Sequence, residues 1–359
     1  MAQMSEIVKQ GAPIEASMSS YEVLGELGRG GMAEVFLAHR RLQHESTSVA
    51  EKLVALKRLK PEFAQDPMLR QMLVEEARLG AGLLHPNLVE AFDLGEHEGE
   101  YFFTMELVQG SELRHLVRAV GASGHCLPLA HVLTIVAAIA AGLDYVHDLR
   151  APDGRRLNVV HLDVCPSNVL VGPDGFVKLI DFGIARHDLA PRWVGGEAEP
   201  VRLAPPRGGT LAYCSPEQCL GHQVDRRSDV FSLGVILWEL TVWGRLYRAP
   251  TRAEVFDKIT RHDAVSPSAV RDDYAPGLEP IVMRALSRDP DRRYATAGAL
   301  LVALEEFAHA RGIASSTTRL GAFVEATMPA PPALAARKAP QAEPPSRPIT
   351  APYPLVPTQ

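Results

Sequence analysis

The spacing of the apolar residues changes near Gly110, and this change constrains the fold more than any other feature of the chain. Before Gly110 the apolar runs are short, as is typical of strands. These strand-like runs lie at residues 21–24, 35–38, 53–57, 88–94 and 101–107. Between the third and the fourth run, apolar residues recur at helical spacing over 68–84, which predicts one helix there.

After Gly110 the pattern predicts mainly helices. Long apolar segments at 129–147 and 228–242 predict two core helices. A third helix is predicted over 297–310, because Thr296 can cap its start and Gly312 follows its end.

A hairpin is predicted between these helices. Two short strand-like runs, 169–171 and 177–180, flank a Gly-Pro-Asp-Gly turn. The whole pattern predicts an α+β fold with two lobes, since the chain of 359 residues is too long for one simple core. The first lobe is expected to be small and β-rich with one main helix, and the second to be larger and mostly helical.

The overall composition excludes several classes of protein. The net charge is −6 and the sequence pI is near 6.1, so no nucleic-acid partner is expected. The four cysteines lack metal-ligand spacing and are expected to be reduced thiols. No apolar run reaches the roughly 18 residues of a membrane span, and residues 1–20 lack the apolar core of a signal peptide. The expected location is therefore cytoplasmic.

A cluster of glycines lies between the first two predicted strands. Gly28, Gly30 and Gly31 have no Cβ, so the backbone can approach a phosphate group closely there. Lys57 ends the third strand, and a cation below a glycine loop can hold phosphates. Taken alone, the glycines could equally form an ordinary hairpin turn, and Lys57 could be a surface lysine on an edge strand.

Two further motifs complete an ordered set. Residues 161–168 read His-Leu-Asp-Val-Cys-Pro-Ser-Asn, and Asp181 begins an Asp-Phe-Gly triplet. With the glycine loop and the Val-Ala-Leu-Lys run that ends at Lys57, they follow the order of the protein kinase motifs. Over residues 21–310 the chain resembles this family, in particular the bacterial serine/threonine kinases of eukaryotic type.

The resemblance implies a reaction with ATP and Mg²⁺ and assigns roles to matching residues. Lys57 would hold the phosphates and pair with Glu76 on the following helix. Asp163 would orient the substrate hydroxyl and accept its proton, while Asn168 and Asp181 would hold the metal. Phosphoryl transfer depends on positioning and charge neutralisation, which these carboxylates, the amide and the cation can supply.

The resemblance also implies an adenine pocket and two structural anchors. Val35, Ala55 and Leu170 would enclose the adenine ring, and Met105 would be the gatekeeper before the hinge backbone of Glu106 and Val108. The same likeness implies a buried ion pair between Glu217 and Arg293 and an anchor for the catalytic loop at Asp229.

The chain departs from the family pattern at three positions. Ala33 replaces the third loop glycine, Leu162 replaces the usual arginine before the catalytic aspartate, and Cys165 replaces the usual lysine two residues after it. That lysine neutralises charge on the γ-phosphate, so a reduced rate is expected. Two readings stay open: an active kinase that phosphorylates protein serine or threonine, or a pseudokinase that binds nucleotide and acts as an interaction module.

The predicted domain organisation has three parts. A leader covers residues 1–20, and the kinase domain covers 21–310, with its lobes at about 21–108 and 109–310. A Pro/Ala-rich tail covers 311–359 and is expected to be disordered from about residue 327. Its PxxP spacings allow a partner protein to bind, although a solvated tail is the plainer reading. The loop 183–209 contains no hydroxyl side chain, so activation without loop phosphorylation is expected.

Overall fold

The computed structural model describes residues 14–16, 20–41, 51–151, 153–182 and 208–328. These residues form the two predicted lobes. The small lobe is one sheet of six strands in the order β1-β5-β6-β4-β3-β2, with one helix packed on it. Its elements are β1 Ile14–Ala16, β2 Tyr21–Arg29, β3 Ala33–Arg41, β4 Glu51–Leu59, α1 Pro67–Gly80, β5 Ala91–His97 and β6 Glu100–Glu106.

The first strand lies inside the segment that was expected to be a loose leader. β1 pairs in parallel with β5, and Ile14 lies opposite Asp93. Without β1, strand β5 would be an edge strand whose unpaired N–H and C=O groups are a template for another strand. Three residues carry no detectable periodicity, so this pairing could not be read from the sequence.

Helix α1 ends earlier than its apolar pattern predicts. Asp66 caps its start by accepting hydrogen bonds from the amides of Met68 and Leu69 at 2.9 and 3.2 Å. The helix stops at Gly80, not at residue 84, and Leu84 is 70% exposed. The following Gly82 and Pro86 disfavour a longer helix, which is the physical reason for the difference.

The large lobe is mainly helical. It contains β7 Ser111–Glu112, α2 Leu113–Ala122, α3 Leu129–His147, β8 Val169–Val171, β9 Val177–Leu179, α4 Pro216–Leu220, α5 Arg226–Val242, α6 Arg252–Arg261, α7 Leu278–Ala285, α8 Ala297–Ala310 and α9 Thr317–Thr327. Strands β7, β8 and β9 form a small antiparallel sheet next to the catalytic loop. The bounds of α3 and α8 agree with the sequence prediction, and α5 starts two residues earlier.

Two apolar helices form the centre of this lobe. Every residue of α5 from Ser228 to Val242 is buried. Helix α3 packs against both α5 and α8 and buries 11 of its 19 residues. Within the described residues, α3 is the one helix long and apolar enough to cross a membrane, a property that it shares with core helices of globular domains.

The last helix, α9, was not predicted. The sequence prediction placed a tail from residue 311 onward, whereas residues 317–327 form a helix that packs on α2 and α3. Ser316 caps its start by accepting from the amide of Arg319 at 3.2 Å, and Leu320 and Val324 are buried. A helix of 11 residues with two buried side chains gives a weak periodic signal. Disorder was predicted from about residue 327; Thr327 is still part of α9, and residues 329–359 lie outside the described residues.

Candidate active site

An ammonium group and two carboxylates meet in the cleft between the lobes. The Lys57 Nζ on β4 lies 2.6 and 2.8 Å from the two carboxylate oxygens of Glu76 on α1. The same Nζ lies 3.0 Å from Oδ1 of Asp181, which follows β9 in the large lobe. The sequence prediction that Lys57 pairs with Glu76 agrees with this geometry. One cation therefore links the sheet, helix α1 and the large lobe.

The charges of this cluster depend on each other. Burial by itself lowers the pKa of Lys57, but the carboxylates of Asp181 and Glu76 outweigh burial and hold that pKa above its ordinary value. Burial and the nearby Asp181 raise the pKa of Glu76, against the lowering effect of Lys57. Because both Glu76 oxygens contact the ammonium, we assign the ion-paired state to this bridge at neutral pH.

The catalytic loop brings Asp163 and Asn168 together. The Asn168 Nδ2 donates to the backbone oxygen and to Oδ2 of Asp163, both at 2.9 Å. Burial, followed by the charge of Asp181, raises the pKa of Asp163 to about 7. A buried carboxylate held in place by Asn168 can accept a proton from a hydroxyl group.

A buried carboxylate holds the backbone of this loop. Asp229 on α5 accepts hydrogen bonds from the amides of His161 and Leu162, each at 2.8 Å, and from the ring of His147 at 2.8 Å. Leu162 has a φ of 65°, which a branched side chain rarely adopts. The two hydrogen bonds from Asp229 thus maintain a strained backbone directly before Asp163. The predicted anchor role of Asp229 agrees with these contacts.

The donor set fits a magnesium ion. Because the Nδ2 of Asn168 makes both of its hydrogen bonds to Asp163, its side-chain Oδ1 is the atom that can ligate a cation. The carboxylate of Asp181 is 43% exposed and lies 3.0 Å from the Lys57 ammonium. Carboxylate and amide oxygens are the ligands that Mg²⁺ prefers.

The glycine loop connects β2 and β3 above the cleft. The Gly30 amide donates to the Ala33 oxygen at 2.8 Å, which closes the turn. A Cβ at Gly28 or Gly31 would meet no atom within 4 Å. Packing within the chain therefore does not require glycine at either position, which favours the interpretation that the loop is kept open for a phosphate-bearing ligand.

The residues proposed for adenine lie on elements of both lobes. Val35 on β3 lies opposite Lys57 in the sheet, and Ala55 on β4 lies opposite Met105 on β6. Leu170 lies on β8, in the large lobe, with its side chain half-buried. Two of the residues form the connection between the lobes: Glu106 ends β6, and Val108 accepts a hydrogen bond from the amide of Gly110 at 3.0 Å.

One contact at the hinge was not predicted. The Lys178 Nζ on β9 lies 2.8 Å from Oε2 of Glu106 and 3.1 Å from the backbone oxygen of Leu88. This lysine attaches the hinge to the hairpin of the large lobe. A pairing between residues 72 positions apart has no signature in a single sequence.

The positions that depart from the family pattern are buried. Leu162 and Cys165 are each 2% exposed. Burial, followed by the charge of Asp163, raises the pKa of the Cys165 thiol to about 12, so the thiol is neutral at physiological pH. The backbone oxygen of Leu162 accepts a hydrogen bond from Gln218 at 2.9 Å. At Leu162 and Cys165, where the family usually has cations, the catalytic loop is thus held by buried hydrogen bonds and apolar contacts.

The predicted structural ion pair is also present. Arg293 donates to both carboxylate oxygens of Glu217 at 2.7 and 2.8 Å, and the Ser228 hydroxyl donates to the same carboxylate at 2.7 Å. This pair joins α4 to the segment before α8. The segment predicted to need no phosphorylation covers residues 183–209, and residues 183–207 of it lie outside the described residues. The side chain of Thr210 also lies outside them.

Comparison with known proteins agrees with this geometry. The model of the protein kinase domain family matches residues 21–303. Among curated relatives, the tyrosine-protein kinase MasK of Myxococcus xanthus is 35% identical over 87% of this chain and 47% of its own length. The serine/threonine-protein kinase PknH of Mycobacterium tuberculosis is 30% identical over 97% of this chain and 50% of its own length.

Further matches point the same way. The serine/threonine-protein kinase PknB of Mycolicibacterium smegmatis is 34% identical over 77% of this chain and 41% of its own length. The crystal structure of the PknI kinase domain of M. tuberculosis superposes with a TM-score of 0.57 and 28% identity, covering 81% of this chain and 97% of that chain. The chain spans about half the length, or less, of these curated relatives. The match over residues 21–303 and the assembled site show that the chain belongs to the bacterial eukaryotic-type protein kinase family.

Proposed function

We propose that this chain is an ATP-dependent protein kinase that phosphorylates serine or threonine hydroxyls of proteins. The observation that carries the proposal is the closed cluster in the cleft, in which one Lys57 ammonium contacts both Glu76 and Asp181. Asp163 and Asn168 are joined to each other on the adjacent loop. The groups that the reaction needs on the nucleotide side therefore lie together in the cleft.

The mechanism follows from these positions. Lys57 holds the phosphates of ATP, and Glu76 fixes its ammonium group in the cleft. Asp163 orients the substrate hydroxyl and accepts its proton as that oxygen attacks the γ-phosphorus and the bond to the β-phosphate oxygen breaks. Mg²⁺ held by Asn168 and Asp181 would supply charge neutralisation for the phosphates.

The rate is expected to be reduced. Cys165 is neutral and buried, so it supplies no positive charge for the γ-phosphate. Loss of one preorganised donor to the transition state costs on the order of 10²–10³ in kcat. The remaining groups still provide positioning and a proton acceptor, which favours slow catalysis over none.

The choice between serine/threonine and tyrosine is testable. PknH and PknB carry serine/threonine in their names, while MasK is named a tyrosine kinase. The Gly209-Thr210 pair resembles the peptide-docking segment of serine/threonine kinases. Phosphoamino-acid analysis of a labelled generic substrate should show phosphoserine or phosphothreonine, and phosphotyrosine alone would contradict the proposal.

One assay distinguishes an active kinase from the alternative, a pseudokinase. Transfer from γ-labelled ATP to a protein substrate is measured for the native chain and for Asp163→Asn. We expect slow transfer that the variant loses. ATP binding without any transfer by either protein would favour the pseudokinase.

We place this part of the protein in the cytoplasm. The reaction consumes ATP, and none of the four cysteines, all of which lie in the described residues, is part of a disulfide. Protein substrates are implied by the proposed activity. A partner of the proline-rich tail stays a prediction.

A further inference from the structure

Helix α9 lies beyond the residues that the family model matches, yet it packs against the hairpin that forms the floor of the cleft. The family match ends at residue 303, and α9 covers residues 317–327. Leu320 and Val324 are buried, and the ring of Phe323 lies 4.9 Å from the ring of His131 on α3. The helix is therefore anchored to the large lobe along its length.

The start of α9 touches the hairpin turn backbone to backbone. A Cβ at Gly321 would lie 2.7 Å from the amide nitrogen of Gly175 and would overlap the carbonyl oxygen of Pro173. A Cβ at Gly175 would overlap the carbonyl group of Thr317. Gly175 also has a φ of +82°, so the turn needs glycine there for its own conformation. No side chain fits between α9 and the turn.

The other side of the turn touches the hinge. The Phe176 ring lies against Gly172, and a Cβ at Gly110 would lie 3.1 Å from that ring and 2.8 Å from the Val171 oxygen. Gly110 in turn donates its amide to the oxygen of Val108 at 3.0 Å. One line of close contacts thus runs from α9 through the turn and Phe176 to the backbone that we assign to adenine binding.

We propose that α9 is a positioning element of the ATP site, acting through the β8–β9 turn and Phe176 on the hinge. Strands β8 and β9 have three residues each, and a hairpin of this size is not stable without support. The hairpin carries Leu170, so its placement sets the floor of the proposed adenine pocket. Helix α9 supports the hairpin at its turn.

The inference rests on the proposed function, and its test separates the two. The dissociation constant for Mg-ATP is measured by calorimetry, and KM and kcat are measured by phosphoryl transfer. The test variants are Gly321→Ala and Gly321→Val, and the control is Ala322→Val on the same helix. Ala322 is exposed, so its valine adds side-chain volume without touching the turn. Alanine has a higher helix propensity than glycine, so Gly321→Ala is expected to fold. Its Cβ would still overlap the carbonyl oxygen of Pro173.

We expect the Gly321 variants to weaken ATP binding and raise KM for ATP by about three- to thirtyfold, the range that packed networks transmit. The value of kcat should change little, and Ala322→Val should behave as the native chain does. Phe176→Leu replaces the ring that contacts Gly110 by a smaller side chain and should weaken ATP binding in the same way. In the double variant with Gly321→Ala, the two losses of binding free energy should be non-additive.

Two results would overturn the inference. One is unchanged ATP affinity in folded Gly321 variants, with loss of thermal stability only. The other is full additivity of Gly321→Ala and Phe176→Leu, which would mean that the two residues act separately. A native chain that binds no ATP would instead contradict the proposed function.

Discussion

The two sides of the catalytic loop have opposite character. On the nucleotide side, Lys57, Glu76 and Asp181 form a charged cluster with contacts of 2.6 to 3.0 Å. On the substrate side, the two positions that usually carry cations hold Leu162 and Cys165, and both are 2% exposed. The groups proposed to hold the nucleotide are therefore present, whereas the two positions where this family usually carries cations hold uncharged, buried side chains.

The comparison also shows what the two sides share. Asp229 holds the amides of His161 and Leu162, which directly precede the catalytic Asp163. The ring of His161 lies 4.6 Å from the ring of Phe182, next to Asp181. The loop backbone is therefore fixed from inside the large lobe, independently of the lost cations. The five predictions below test this contrast.

The largest effect is expected on the charged side. Lys57→Met leaves two carboxylates without their cation and should reduce phosphoryl transfer by about 10³-fold or more, because a preorganised charge at the phosphates is lost. The measurement is the initial rate with γ-labelled ATP. Lys52→Met is the matched control, since Lys52 lies on the same strand but is exposed. Unchanged transfer in Lys57→Met would remove the basis of the site assignment.

The second largest effect is expected at Asp229, which holds the backbone of the catalytic loop. Asp229→Asn turns an N–H donor toward the amides of His161 and Leu162, so it should lower kcat by about tenfold to a hundredfold, as other losses of a positioning group do. It should also reduce the free energy of unfolding by about 3 kcal/mol, since a buried hydrogen-bonded carboxylate is lost. Chemical denaturation and initial rates measure both effects.

Lowering the pH should also reduce the free energy of unfolding, through protonation of Asp229. Burial alone would raise the pKa of Asp229, but His147 and the loop amides hold it below its ordinary value. The stabilisation that Asp229 contributes is thus present above the ordinary carboxyl pKa and is lost as the pH falls through the lowered pKa.

For Asp229→Asn, the control variant is Asp225→Asn, because Asp225 is exposed and asparagine also caps helices. Equal stability of both variants would contradict the anchor.

A gain is expected on the apolar side. Cys165→Lys places an ammonium group on a stem that can follow the apolar wall toward Asp163, and kcat should rise by about tenfold, part of what one such donor contributes. Cys165→Met, of similar length without charge, should show no gain. A large loss in the lysine variant, with the fold intact by circular dichroism, would mean that the loop has been rebuilt around the thiol.

The smallest effect concerns loop phosphorylation. Leu162 cannot make the charge-assisted hydrogen bonds that order a phosphorylated loop, and residues 183–209 contain no hydroxyl side chain. Phosphatase treatment, verified by mass spectrometry, should leave the initial rate within about twofold, a barrier change well below 1 kcal/mol. A several-fold fall traced to a phosphate on Thr210 would refute this expectation.

Much of the fold follows from local rules that a single sequence contains. The apolar periodicity at 129–147 and 297–310 extends over long segments with recognisable ends, so the predicted bounds of these helices agree with the structure. The motif residues were located because each motif combines several residues at fixed spacing. Helix α1 was predicted four residues too long, since Leu84 is apolar but exposed and the pattern cannot distinguish the two cases.

By itself, the sequence predicted the two lobes, the main helices and the candidate site residues, because periodicity and spacing are properties of the chain. Only the tertiary structure decided which groups meet: that Lys178 joins Glu106, that β1 covers β5, and that α9 lies against the β8–β9 turn. These contacts join segments far apart in the chain, and their free energy comes from burial and close approach in three dimensions. No local pattern records that approach, because glycine at 175 or 321 is equally compatible with an ordinary turn or helix until its neighbour is known.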